Sequence, residues 1–348
     1  MKRLTFLTSI LLVMAISAGI FLGSCKKKTE DPPPQVLKIG LVGGFGGFND
    51  HGFNQSALTG LEQAAVDLTI VTEARASNTA ADFEANINYF IQNNFNMIIS
   101  LSFDAAKATV VAAGNHPGIK FGLVDYSQTG APSNLLCVVF DVDQVSFPCG
   151  FLAAYWANLK NPSYSVAGYI AGPDIPEIRQ FSQSYEYGII YFNSKYNKKI
   201  RTFGCNAISF ADSLEGAQLA DSLIGLGAEV IFPFAGKTGV GALYQIKQSG
   251  KWGIGVDVDQ FYSIPDVSTI LLTSCVKRLD NTVYDMIYSF VTGQFVGGQT
   301  IHRNLQNSGV EMAPFHDYDP LIPDSIKAAL AEIRTGIIDG TIDTGWPK

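Results

Sequence analysis

The chain has 348 residues, of which 47% are hydrophobic and only 16% charged, with a formal net charge of −7. That length is enough for two domains with sizeable cores, and the composition excludes a disordered chain. The acidic balance, with no internal basic tract, argues against a nucleic-acid-binding surface.

Residues 1–25 read as a targeting segment rather than as part of the fold. Lys2 and Arg3 precede an apolar run, Leu4–Leu22, and Leu22-Gly23-Ser24-Cys25 sets small residues before a cysteine. This is the pattern of a bacterial lipoprotein signal, in which the cysteine receives lipid and becomes the mature N-terminus. A plain signal peptide or an N-terminal membrane anchor is the alternative. Residues 26–36 then read as a charged, proline-stiffened tether. No later stretch has the roughly 18 uninterrupted apolar residues of a spanning helix. The expectation is a protein of the bacterial cell envelope, lipid-anchored to a membrane through Cys25, with its body extracytoplasmic.

From Leu37 onward, strand-like and helix-like segments alternate. The strand Leu37–Val42 runs into Gly43–Gln55, which reads G-G-F-G-G-F-N-D-H-G-F-N-Q, and a helix follows to about Val66. A glycine-rich turn between a strand and a helix brings backbone amides close to a ligand. Here the turn also carries Asn49, Asp50, Phe53, Asn54 and Gln55: one acid, three amides and a ring. Phosphate cradles use bare backbone and a cation, so an acid and a ring suit a neutral polyhydroxylated or heteroaromatic ligand instead. An ordinary exposed turn remains the alternative.

The alternation continues through strands at Leu68–Thr72, Met97–Leu101, Lys120–Asp125 and Leu135–Phe140. After Asp141–Ser146 it restarts with an apolar helix at Pro148–Leu159. Strands follow at Ser165–Ala171, Ile200–Cys205, Glu229–Phe234, Trp252–Asp257 and from Ile270, with helices between them and a last helix over Pro323–Ile338. Continuous apolar strands alternating with helices mean parallel sheets covered on both faces, here two of them facing a cleft. In open parallel sheets the ligand lies beyond the carboxyl ends of the strands. Those ends offer the opening turn, Asp125, Phe140-Asp141, Gly172-Pro173, Gly236, Asp257 and Ser274–Lys277. The four cysteines of the body, Cys137, Cys149, Cys205 and Cys275, allow three pairings. Each falls in or beside an apolar strand-like run, so buried free thiols are expected rather than bridges.

Enzyme motifs are missing. Gly236-Lys237-Thr238 lacks the glycine a phosphate loop needs five positions before Gly236, where Ile231 stands. Gly43–Gly47 fails dinucleotide spacing, and no G-x-S-x-G elbow exists. The four histidines show no zinc-ligand spacing. Asp257 and Asp259 would point to opposite faces of a continuing strand, which favours one ligand acceptor and one structural or capping acid over an acid/base pair.

Phe48-Asn49-Asp50 with Gly52-Phe53-Asn54-Gln55 resembles the opening signature of the basic membrane protein family of substrate-binding lipoproteins, which includes purine nucleoside receptors of ABC importers. Further stretches match in order: Pro117–Asp125, Phe140–Ala154, Ala167–Gly188 and Gly227–Lys277. The resemblance covers about residues 37–345. It implies an α/β, type I periplasmic-binding-protein fold of two Rossmann-like lobes joined by three hinge crossovers, near Asp141–Ser146, Leu272–Cys275 and Asn307–Pro314. The lobes would be residues 37–143 with 275–308, and 144–274 with 309–348. It also implies Phe53 and Phe181 as rings stacking a base. Asn49, Asp50, Asn54 and Asp125 would bind from the first lobe, Asp257 and the backbone of Gly236 from the second. Lys277 would meet a ribose hydroxyl or balance the buried acids. The function expected is binding of a nucleoside, a purine nucleoside foremost, with hinge closure and delivery to an ABC permease. The protein would be a monomer without metal, cofactor or catalysis. The alternatives are a binding protein or sensor for another small polar ligand, such as a sugar, and a nucleoside-processing enzyme.

Overall fold

A computed structural model describes residues 36–347. The expected signal segment, Cys25 and the tether up to Gln35 lie outside the described residues. The apolar runs sort into two six-stranded sheets. The first holds β1 (Leu37–Gly43), β2 (Ile70–Ala76), β3 (Met97–Leu101), β4 (Lys120–Val124), β5 (Leu135–Phe140) and β11 (Gln299–Arg303), in the order β11-β5-β4-β3-β1-β2. The second holds β6 (Val166–Ala171), β7 (Arg201–Asn206), β8 (Val230–Phe234), β9 (Trp252–Asp257), β10 (Leu271–Lys277) and β12 (Val310–Met312), in the order β12-β10-β9-β8-β6-β7. The strands pair in parallel except β10 with β12. Every residue of β3, β8 and β10 is buried, as parallel strands covered on both faces require.

Helices α1 (Phe53–Asp67), α2 (Ala80–Gln92), α3 (Ala106–Asn115), α4 (Asp143–Lys160), α5 (Pro176–Tyr196), α6 (Ser213–Gly225), α7 (Gly236–Gln248), α8 (Gln260–Ser263), α9 (Leu279–Val291) and α10 (Asp324–Ile338) cover the sheets or link them. Local chemistry sets where several of them start. The Asp82 carboxylate accepts the backbone N–H groups of Asn78 and Thr79, both at 2.9 Å, in a capping box that opens α2. Asp212 accepts from Leu214 and Glu215 at 3.0 Å and opens α6. α4 begins at Asp143, not at Pro148 as the sequence suggested, and Pro148 sits inside it. One turn past the start, the proline gives up the bond to the Gln144 carbonyl. α4 and α5 then pack closely, because a Cβ at Gly188 would lie 1.9 Å from the Phe147 carbonyl oxygen.

The chain crosses between sheets after β5, after β10 and after β11. The second crossing differs from the expected one. β10 stays in the second sheet through Lys277, with Cys275 opposite both Val256 and Met312, so residues 275–277 do not belong with the first sheet. The run Leu271–Lys277 is buried along its whole length, and only between β9 and β12 can it be covered on both edges. α9 then returns to the first lobe, where the Asp280 N–H donates to Ser56 Oγ on α1 at 3.2 Å. Cys137, Cys149 and Cys275 are buried and Cys205 half-buried, all as free thiols. Among the described residues no helix is long and apolar enough to cross a membrane.

Candidate ligand-binding cleft

The carboxyl ends of both sheets face one cleft, where parallel α/β sheets place ligands. Several strands end on a residue in the left-handed region: Ser102 after β3 (φ 71°), Asp125 after β4 (φ 66°), Gly236 after β8 (φ 56°) and Asp257 at the end of β9 (φ 66°). For the three non-glycine residues this conformation costs on the order of 1–3 kcal/mol each, a cost concentrated at functional sites. All four line the cleft. Gly236 has a further reason to lack a side chain, since a Cβ there would sit 2.9 Å from the Phe210 carbonyl oxygen. The cleft holds about 700 Å³, its mouth included, within the range of small-molecule sites.

Rings and acids dominate its walls. Phe53, Phe181, Phe210 and Phe234 supply faces or edges. Asp50, Asp104, Asp125, Glu177 and Asp257 supply carboxyls, against Lys277 as the one cation among the described lining residues. Lys277 Nζ lies 2.7 Å from Asp125 Oδ2 and ties β10 of the second sheet to the end of β4 in the first. It also lies 5.2–5.5 Å from the ring centroids of Phe181, Phe53 and Phe140, within cation–π range. Burial pulls the Lys277 ammonium toward deprotonation, but Asp125 and Asp257 more than offset this and hold its pKa above the ordinary value.

Asp257 is 8% exposed, and no described group donates a hydrogen bond to its carboxylate. Burial raises its pKa most; Lys277 opposes this, Asp50 and Asp125 add to it, and the carboxyl ends at about 7. Burial likewise raises Glu177, with repulsion from Asp125 behind it, and raises Asp104 against a hydrogen bond from Ser102. The lobes touch here: Asp257 Oδ2 would stand 3.4 Å from a Cβ at Gly52, and Ser263 Oγ donates to the His51 carbonyl at 3.0 Å.

A family model described as ABC transporter substrate-binding protein, PnrA-like (Bmp), matches residues 40–342. The chain belongs to the basic membrane protein family. A Lactococcus lactis relative named "ABC transporter nucleoside-binding protein BmpA" is 29% identical, over 94% of this chain and 96% of its own. An uncharacterized lipoprotein of Pyrococcus abyssi is 28% identical, over 89% and 77%. Among solved structures, an ABC transporter solute-binding protein from Aeropyrum pernix K1 superposes with a TM-score of 0.81 at 22% identity, covering 89% of this chain and 93% of that one. The fold is thus the type I periplasmic-binding-protein fold. As a basic membrane protein the chain is a substrate-binding protein of an ABC transporter, with a small-molecule ligand and a permease as partners.

The expected site residues of this basic membrane protein fall into four groups. Phe53, Asp125, Gly236, Asp257 and Lys277 converge on the cleft with groups turned to it. Asp50 and Asn54 line it but spend their polar atoms on the opening turn. The Asp50 carboxylate accepts from the backbone of Gly52, Asn54 and Gln55 and from Asn54 Nδ2, at 2.8–3.1 Å. Asn54 Oδ1 accepts from the Gly44 N–H at 2.7 Å. Asn49 is exposed and does not line the cleft. Asp50 is drawn to the amides that start α1, which leaves its predecessor outside the turn. Phe181 is 2% exposed, and its ring stacks on Phe234 with centroids 5.1 Å apart, so most of its surface serves the lobe's core. Asp259 caps α8 through the Phe261 N–H and pairs with His316 at 2.8 Å.

Sequence reasoning missed Ser102, Asp104, Glu177 and Phe210. Ser102 and Asp104 follow β3 as Asp125 follows β4, so the strand-end rule reaches them. Phe210 lies past β7 in a segment without periodicity, and only the fold brings it against Gly236.

Proposed function

We propose that this protein binds a nucleoside, a purine nucleoside foremost, in the cleft and delivers it to the permease of an ABC importer. The body stands outside the cytoplasm, held by lipid on Cys25 and acting as a monomer. One observation carries the reading: a phenylalanine-lined cleft with a carboxylate, Asp257, that receives no hydrogen bond from the described residues, beside the Lys277–Asp125 pair. Phenylalanine faces suit a flat base, and such stacking contributes about 1–3 kcal/mol per base. A carboxylate without donors suits the hydroxyl pair of a ribose, since a buried acid left unpaired is costly. The name of the Lactococcus relative supports the nucleoside, and the lipoprotein named in Pyrococcus supports the anchor. Closure follows from the site's division between lobes, because a ligand that bridges them favours the shut state.

The acids also set what the cleft refuses. A phosphate placed among Asp125, Glu177 and Asp257 meets repulsion that one lysine does not cancel. Calorimetric titration with guanosine, inosine, adenosine and uridine, and with their 5′-monophosphates, tests both points. Purine nucleosides should bind with sub-micromolar Kd and be recovered unchanged, and the monophosphates should bind at least ~100-fold more weakly. Monophosphates that bind as well as nucleosides, or silence from every nucleoside, would overturn the reading.

A further inference from the structure

Among the described residues, Asp257 is the one buried cleft acid that receives no hydrogen bond. Asp50 is saturated by four N–H groups of the turn and of α1. Asp125 holds Lys277 at 2.7 Å. Asp257 faces Asp50 from the start of α1, Asp125 from the end of β4, and Lys277 and the Cys275 thiol from β10. Glu177 of α5 bears on Asp125 and Lys277 rather than on Asp257 itself, and Asp259 is turned away to His316. Two acids against one lysine, in a place 8% exposed, make a bare carboxylate there costly.

Building on the nucleoside reading, we propose that the cleft exchanges a proton for its ligand: Asp257 carries the proton in the unliganded protein and releases it to water when ligand hydroxyls donate to the carboxylate. A protonated carboxyl has an O–H that competes for the position a ribose hydroxyl needs, whereas an ionised one accepts both hydroxyls of a diol. The ligand's two O–H groups replace the proton as the partners that make burial tolerable. Binding and proton release are then one equilibrium, and acid drives the ligand off.

The carboxyl's position near neutrality, at about 7, puts this exchange in an accessible window. Affinity at pH 6 should be about tenfold weaker than at pH 8, with about half a proton released per ligand at pH 7. Calorimetry of the full chain with inosine, adenosine and guanosine in phosphate and in Tris, whose ionisation heats differ, counts the protons. Release that vanishes in Asp257→Asn supports the proposal. Binding with equal affinity at both pH values, or with proton uptake, overturns this inference and leaves the nucleoside reading standing. No binding by any of the three overturns both. Should Asp257→Asn fail to fold or bind, carbon NMR of the wild-type Asp257 carboxyl decides the matter. A titration near neutrality that moves to lower pH with nucleoside supports the exchange, and one unmoved by nucleoside overturns it.

Discussion

Replacing Lys277 with methionine should cost about 3–5 kcal/mol of stability at pH 8, because it leaves buried acids without their cation. Lys277 is 4% exposed, and its ammonium touches Asp125 while it lowers the cost of ionising Asp257. Methionine matches the stem in volume, so packing alone should change little. The pH dependence identifies the mechanism. Without Lys277 the Asp257 carboxyl rises further above about 7; at pH 5 it holds its proton, so of the two acids only Asp125 is then left without its cation. The loss should therefore shrink markedly between pH 8 and pH 5, read as the difference in urea midpoints from wild type at each pH. An equal loss at both would mean that Lys277 does not act on stability through Asp257. Ligand binding should be lost at either pH, since the lysine ties β10 to the end of β4 across the cleft.

Asp257→Asn should act on stability in the opposite direction. The folded carboxyl lies at about 7, against roughly 3.9 in an unfolded chain. The folded state thus binds a proton that the unfolded chain gives up, and stability falls as pH rises between those values. Asparagine cannot ionise. The variant should match wild type near pH 4 and exceed it at pH 8 by up to about 3 kcal/mol, measured by denaturant unfolding across pH. It should also bind ligand roughly 10- to 150-fold more weakly, because the charged acceptor is gone. A variant less stable than wild type at pH 8 would show that Asp257 is already well served by protein groups. Such opposition between stability and binding is expected where a site holds an acid for its ligand.

The residues that could be read from sequence are those that a rule of topology places. Strand–helix alternation gives parallel sheets, and the sheets put strand ends at a cleft, so Asp125, Asp257 and Lys277 are legible in the sequence as cleft residues. The turn at Gly43–Gln55 was legible as a close-approach loop, but not its internal division of labour. Nothing in its letters says that Asp50 serves the amides of α1 or that Asn49 faces water. The same limit applies to β10. Its apolar run announces a strand but not which sheet receives it, because that depends on what covers its edges. Phe181 and Phe210 differ in tertiary burial: the family resemblance flags the first, which sits largely in the core, and nothing local flags the second.

In the proposed complex a nucleoside lies with its base among the cleft rings and its ribose on Asp257. A crystal structure of the complex with the tightest-binding nucleoside of the titration tests this most directly. It should show ribose hydroxyls within hydrogen-bond distance of Asp257, and the base against Phe53 on one face and a second-lobe phenylalanine, Phe210 or Phe181, on the other. A nucleoside bound outside this cleft, or one whose base rather than ribose meets Asp257, would contradict it.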